Sequence, residues 1–169
     1  MATPLRLAGV IRESIVDGPG WRFVVFSQGC KHNCEGCHNP ETHDMNGGYE
    51  SSVERIIEAV KQDKLLKGIT LSGGDPFEQA ENFSVLAKMV HDLGLDVVTY
   101  TGYTFEQLHK GMSNNEGWRH LLEQTDILID GKFELSKKSL NCKFRGSTNQ
   151  RILDAKKSLA EGIAIEIEI

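Results

Sequence analysis

Four short apolar runs in this chain each end in a loop of glycines and chemically active side chains, a recurrence that limits the fold to few architectures. The run at 22–27 leads into Cys30-Lys-His-Asn-Cys34-Glu-Gly-Cys37, and the run at 68–71 into Ser72-Gly73-Gly74-Asp75. The run at 95–100 leads into Thr101-Gly102, and 127–129 into Asp130-Gly131-Lys132. Helical periodicity fills the stretches between. Ser51-x-x-Glu54 reads as a capping box ahead of the stripe Val53, Ile56, Ile57 and Val60, which predicts a helix over 51–66. Asp75, Pro76 and Glu78 open a second helix, with Phe83, Leu86, Ala87, Val90 and Leu93 on its buried side and Gly94 as its stop. Shorter helical pieces are expected at 104–109 and 117–124, and further strands at 150–153 and 163–169 bring the strand count to six. Strands joined by helical crossovers run parallel. Six are too few to close an eight-stranded barrel, so the expected fold is α/β, a partial and open (β/α)6 barrel. In such architectures chemistry gathers at the carboxyl ends of the strands, where all four loops fall.

The cysteine spacing C-x3-C-x2-C has several chemical readings. Three thiolates on one short loop can hold three irons of a cubane cluster and leave the fourth iron open to a substrate. Cys34-Glu-Gly-Cys37-His38 also matches a c-type haem attachment signature, but such haems are attached outside the cytoplasm and no signal peptide precedes the loop. A zinc site would combine the thiols with His32 or His38, although zinc ligands usually come from two separated knuckles. Thiols serving as small buried hydrophobes fit poorly on a polar, glycine-containing loop. Cys142 stands apart from the other three, which is no disulfide framework, and a reducing compartment follows. Gly73 and Gly74 would let a ligand approach the backbone while Asp75 accepts hydrogen bonds from an ammonium group; alternatively Asp75 only caps the helix that Pro76 begins. Asp130-Gly-Lys132 reads equally as an ordinary strand end with a solvated lysine.

A chain of 169 residues fits one domain over 1–169. Its net charge of −5, without a basic block, argues against a nucleic-acid backbone as partner. The apolar stretch between Arg6 and Arg12 is too short for a signal sequence, and no run approaches the length of a membrane span, so a cytoplasmic protein without a membrane partner is expected.

Taken with Asp17-Gly-Pro-Gly20, Tyr100-Thr-Gly-Tyr103 and Arg145-Gly-Ser-Thr-Asn-Gln150, these motifs resemble the radical S-adenosylmethionine activating enzymes. Within them the chain is most similar to the branch serving anaerobic ribonucleoside-triphosphate reductases. The resemblance implies an oxidoreductase with one [4Fe-4S] cluster on Cys30, Cys34 and Cys37, which are both the metal ligands and the catalytic residues. It implies S-adenosylmethionine contacts from Gly36, Cys37 and His38 past the adenine, through backbone at Gly36. Ser72, Gly73, Gly74 and Asp75 would hold the methionine amino group, with Asp75 standing where the family motif carries Glu. Lys132 would pair with the cofactor's carboxylate and Asp130 would orient it. The implied activity is reductive cleavage of S-adenosylmethionine to methionine and a 5′-deoxyadenosyl radical, which takes hydrogen from a glycine of the reductase large subunit. A flavodoxin or ferredoxin-type donor would supply the electron, under anaerobic conditions. The alternatives are an activase of another glycyl-radical enzyme of the pyruvate formate-lyase type, and a non-catalytic iron–sulfur or zinc-binding adaptor. Arg145 reads either as an anion or partner contact or as a surface arginine.

Overall fold

The computed structural model describes residues 3–30, 32, 44, 46–139 and 143–169. Their strands are β1 (Pro4–Ser14), β2 (Arg22–Ser27), β3 (Tyr49–Ser52), β4 (Gly68–Gly73), β5 (Asp96–Tyr100), β6 (Ile127–Asp130) and β7 (Arg151–Asp154). They form one open sheet in the order β3-β1-β2-β4-β5-β6-β7. The helices are α1 (Val53–Lys61), α2 (Ala80–Asp92), α3 (Phe105–Gly111), α4 (Glu116–Gln124) and α5 (Ala155–Glu161), with a 3₁₀ turn at Pro76–Gln79 leading into α2. Strands β2, β4, β5 and β6 are parallel and in sequence order, which places all four motif loops along one edge.

The expected six parallel strands are corrected to four. Strand β1 pairs antiparallel with β2 and β3, and β7 pairs antiparallel with β6. Only Leu5 and Leu7 of β1 are buried hydrophobes, while Val10 to Glu13 are exposed, so the strand owes its existence to its partners rather than to its own alternation. The polar β3 places Ser51 opposite Leu5, which removes Ser51 from the helix. Ser52 is the N-cap of α1 instead, accepting from the Arg55 amide at 3.2 Å, and Glu54 accepts from the Thr3 amide at 2.8 Å. The helix ends at Lys61, short of the predicted 66. Residues 163–169 are not a strand. They follow α5 as an extended tail bridged to β7 at Leu153–Glu166, and their alternation is used to lay Ile167 and Ile169 against Val98, Ile129 and Ile152.

The period-two pattern of the central strands divides the sheet into two faces. Phe23 and Val25, Ile69 and Leu71, Val97, and Leu128 face the helical layer, where Ile56, Ile57, Phe83, Leu86 and Leu122 complete the main core. Leu93, expected in that core, is 39% exposed because α2 stops at Asp92. On the opposite face the amino end of the parallel strands is closed by Arg22, which is fully buried. Its guanidinium donates to Thr70 Oγ1 (2.8 Å), to the Ile69 and Pro19 carbonyls (2.7 and 2.9 Å), and to Asp96 Oδ1 (2.5 Å). Thr70 Oγ1 in turn donates to the Asp17 carbonyl at 2.7 Å. Asp17-Gly-Pro-Gly20 is thus a floor held by a satisfied buried cation, leaving the carboxyl edge as the place for chemistry.

Candidate functional site

Hydrogen bonds join the strand-end loops into a continuous rim. The ladder between β2 and β4 runs on past the strands: Gly74 N donates to Ser27 O at 2.8 Å and Asp75 N to Gly29 O at 2.9 Å. This lays the double glycine directly along the segment that enters the cysteine loop. Gly73, at φ 95°, admits no side chain, since a Cβ there would sit 2.4 Å from Ser27 N. Farther along the rim, Gly131 N donates to Tyr103 O at 3.0 Å, and Thr101 N to Ile129 O at 3.0 Å.

Asp75 is fully buried and its carboxylate is occupied by protein groups. Oδ1 accepts from the Phe77 amide at 3.0 Å, which starts the 3₁₀ turn. Oδ2 accepts from Thr101 Oγ1 (2.9 Å), Gly102 N (3.0 Å) and His32 Nε2 (2.6 Å). His32 therefore commits Nε2 to a carboxylate. Its ring packs edge-on against Tyr103, with centroids 4.5 Å apart. The Tyr103 hydroxyl donates to Glu78 Oε1 at 2.7 Å. Burial, that acceptor and the negative charge of Glu78, Asp75 and Cys30 push its ionisation well above the ordinary phenol range.

Asp130 is likewise buried and engaged. It accepts from the Phe105 amide at 2.7 Å, at the start of α3, and from Arg151 Nε and Nη2 at 3.0 and 2.6 Å. Arg151 also reaches Glu106 at 2.6 Å and holds that carboxyl below its usual range. Lys132, by contrast, is exposed. The segment 145–150 is a clasp for this loop. Gln150 Nε2 donates to Gly131 O (3.0 Å) while its Oε1 accepts from the Gly146 and Ser147 amides, and Asn149 Nδ2 donates to Lys132 O (2.8 Å). Arg145 turns back on the clasp, donating to Gln150 O at 3.1 Å. Cys30 is half-buried at the base of the cysteine loop. Cys34, Gly36, Cys37, His38 and Cys142 lie outside the described residues.

Residues 16–153 match the family model described as a 4Fe-4S single cluster domain, a span that includes all four rim loops. The chain is 34% identical over 147 residues to an anaerobic ribonucleoside-triphosphate reductase-activating protein of Vibrio cholerae, covering 82% of this chain and 90% of that one. It is 33% identical to the protein of that name from Escherichia coli K12, over 80% of this chain and 90% of the relative. The phage T4 protein of that name is 35% identical, over 81% and 86%. The chain belongs to this family of activating proteins. Among solved structures, QueE from Escherichia coli aligns with a TM-score of 0.48 at 14% identity, covering 60% of this chain and 54% of that one.

Family membership and geometry together sort the residues expected from sequence. Ser72 to Asp75 and the entry to the cysteine loop are brought side by side, and Asp130 to Lys132 lie farther along the same rim. Sequence reasoning missed Thr101 Oγ1, Gly102 N and Arg151 as partners of the two rim carboxylates. It also missed the pairing of His32 with Asp75, which are 43 positions apart. The only signal for these was the placement of Thr101-Gly102 at a strand end. Among the described residues no helix is long and apolar enough to cross a membrane.

Proposed function

We propose that this chain generates the glycyl radical on an anaerobic ribonucleoside-triphosphate reductase by reductive cleavage of S-adenosylmethionine. The observation that carries the reading is the backbone ladder from Ser27 and Gly29 to Gly74 and Asp75, which sets a side-chain-free cradle against the loop bearing the three cysteines. Family membership and the cluster-domain match support it.

In this reading Cys30, Cys34 and Cys37 would hold one [4Fe-4S] cluster, three thiolates being one short of full ligation. The chemistry of the donor set fits such a group: Cys30 sits half-buried where the chain enters the three-thiol loop, beside a double glycine that packs against the Ser27 backbone too closely for a Cβ at Gly73. Such a cluster, when bound and reduced, would supply the electron for reductive cleavage of S-adenosylmethionine to methionine and a 5′-deoxyadenosyl radical. The chain's own residues orient and shield. Ser72, Gly73 and Gly74 offer backbone to the methionine end, Gly36, Cys37 and His38 flank the adenine, and Lys132 pairs with the carboxylate. Asp75 and Asp130, both occupied, act by holding the rim rather than by touching the cofactor. The protein substrate is the reductase large subunit, a flavodoxin or ferredoxin-type protein is the donor, and the reducing cytoplasm preserves the thiolates.

The test is to mix the reduced holoprotein with S-adenosylmethionine and an anaerobic reductase carrying deuterated glycine. A glycine-centred electron paramagnetic resonance signal and deuterium in the 5′-deoxyadenosine are expected. Cofactor cleavage with no radical on this or any other glycyl-radical enzyme would remove the activase reading and leave the cluster.

A further inference from the structure

We propose that His32 and Asp75 form a latch that positions the cysteine loop, so that Asp75 serves the cluster through His32 and not the cofactor through its own carboxylate. The inference rests on the cluster reading above and deepens it. His32 lies two residues from Cys30 and two from Cys34, within about 7 Å of extended chain from either. Fixing its ring therefore restricts both ligands.

The ring is held from three sides. Asp75 Oδ2 accepts from Nε2 at 2.6 Å, Tyr103 packs edge-on, and Gly102 lies so close that a Cβ there would fall 2.4 Å from His32 Cδ2. Only 6% of the His32 side chain is exposed. The other half of the latch is preset. Thr101 Oγ1, Gly102 N and Phe77 N orient the carboxylate from the loop after β5 and the 3₁₀ turn, neither of which belongs to the cysteine loop. A carboxylate with these partners and full burial is aimed at the loop, not at an incoming ammonium group. Aspartate in place of the longer glutamate keeps the carboxylate close enough to its own backbone to accept from Phe77 N while reaching His32.

The experiment compares wild type, His32→Ala, His32→Gln, Asp75→Asn and the double variant His32→Ala/Asp75→Asn after anaerobic reconstitution. It follows iron loss to a chelator, the signal of the reduced cluster and binding of S-adenosylmethionine. His32→Ala should release iron roughly tenfold faster or more, the factor for one lost charge-assisted hydrogen bond, and broaden the cluster signal. His32→Gln, whose amide still donates, should recover part of the retention. The double variant should fall short of the product of the two single effects, because both changes weaken the same bond. Equal retention and signal in wild type and His32→Ala would overturn the latch, as would additive effects of the two changes. A loss of cofactor affinity with Asp75→Asn that His32→Ala does not share would overturn it too, by making Asp75 a direct ligand. A wild-type protein that takes up no iron would overturn the latch and the cluster together, whereas the other failures leave the cluster standing.

Discussion

A single methyl group at Gly73 would meet the Ser27 amide nitrogen at 2.4 Å, in a backbone conformation with φ of 95° that side chains rarely adopt. Neither obstacle is removable by a rotamer change, because the opposing atoms are backbone. Gly73→Ala should therefore cost on the order of 3 kcal/mol in urea unfolding and detach the cradle from the cysteine loop. Tyr100 makes a pH-dependent contribution. It donates to the Phe144 carbonyl at 2.7 Å, and burial raises its pKa above the ordinary value near 10. Below pH 10 folded and unfolded chains both keep the proton; above it only the unfolded chain releases it. Stability should thus fall as pH rises past 10, by about 1.4 kcal/mol per pH unit from this group. Tyr100→Phe should lose about 1 kcal/mol at neutral pH and show a shallower alkaline decline, read from denaturant midpoints across pH 8 to 11.

At the level of elements, β7 is secured to β6 by one charge pair as well as by the ladder. Asp130 is 1% exposed; Arg151 reaches both of its oxygens and supplies its counter-charge, while the Phe105 amide shares Oδ2. Arg151→Ala strands that carboxylate, and should destabilise the protein by about 2–4 kcal/mol, while Asp130→Asn, which keeps an acceptor for the Phe105 amide, should cost less; chemical denaturation distinguishes them. The central strands and the stripes of α1 and α2 were legible in the sequence because their burial is local and periodic. Strands β1 and β3 were not, since pairing with distant segments makes them strands, and the tail at 163–169 carries strand periodicity without strand pairing. In the site, the strand-end rule located Ser72 to Asp75 and Asp130 to Lys132. The roles of the carboxylates were not readable, because Thr101, His32 and Arg151 reach them across 21 to 43 positions. Arg145 reads in sequence either as an anion or partner contact or as a surface arginine; the segment it begins, 145–150, clasps the loop after β6.

For the molecule as a whole, the main core lies between the sheet and its helices, while Cys30 sits at the carboxyl edge outside it. Small metal domains without such a core unfold when stripped. This chain should not. Cys30→Ala, or chelation of the metal, should leave the far-ultraviolet circular dichroism and the denaturant slope unchanged and shift the thermal midpoint by only a few degrees, while iron content falls.

The extension of the β2–β4 ladder into Gly74 and Asp75 makes the cysteine loop and the glycine cradle inseparable as hereditary units. A cysteine loop grafted alone from a relative would arrive without the amides of residues 74 and 75 that its carbonyls at 27 and 29 accept from, and without the carboxylate of 75. The piece that evolution or an engineer can exchange is discontinuous, made of 27–39, 72–76 and 101–103 together, and recombination within any one of those segments yields a chimera whose halves were fitted to different neighbours.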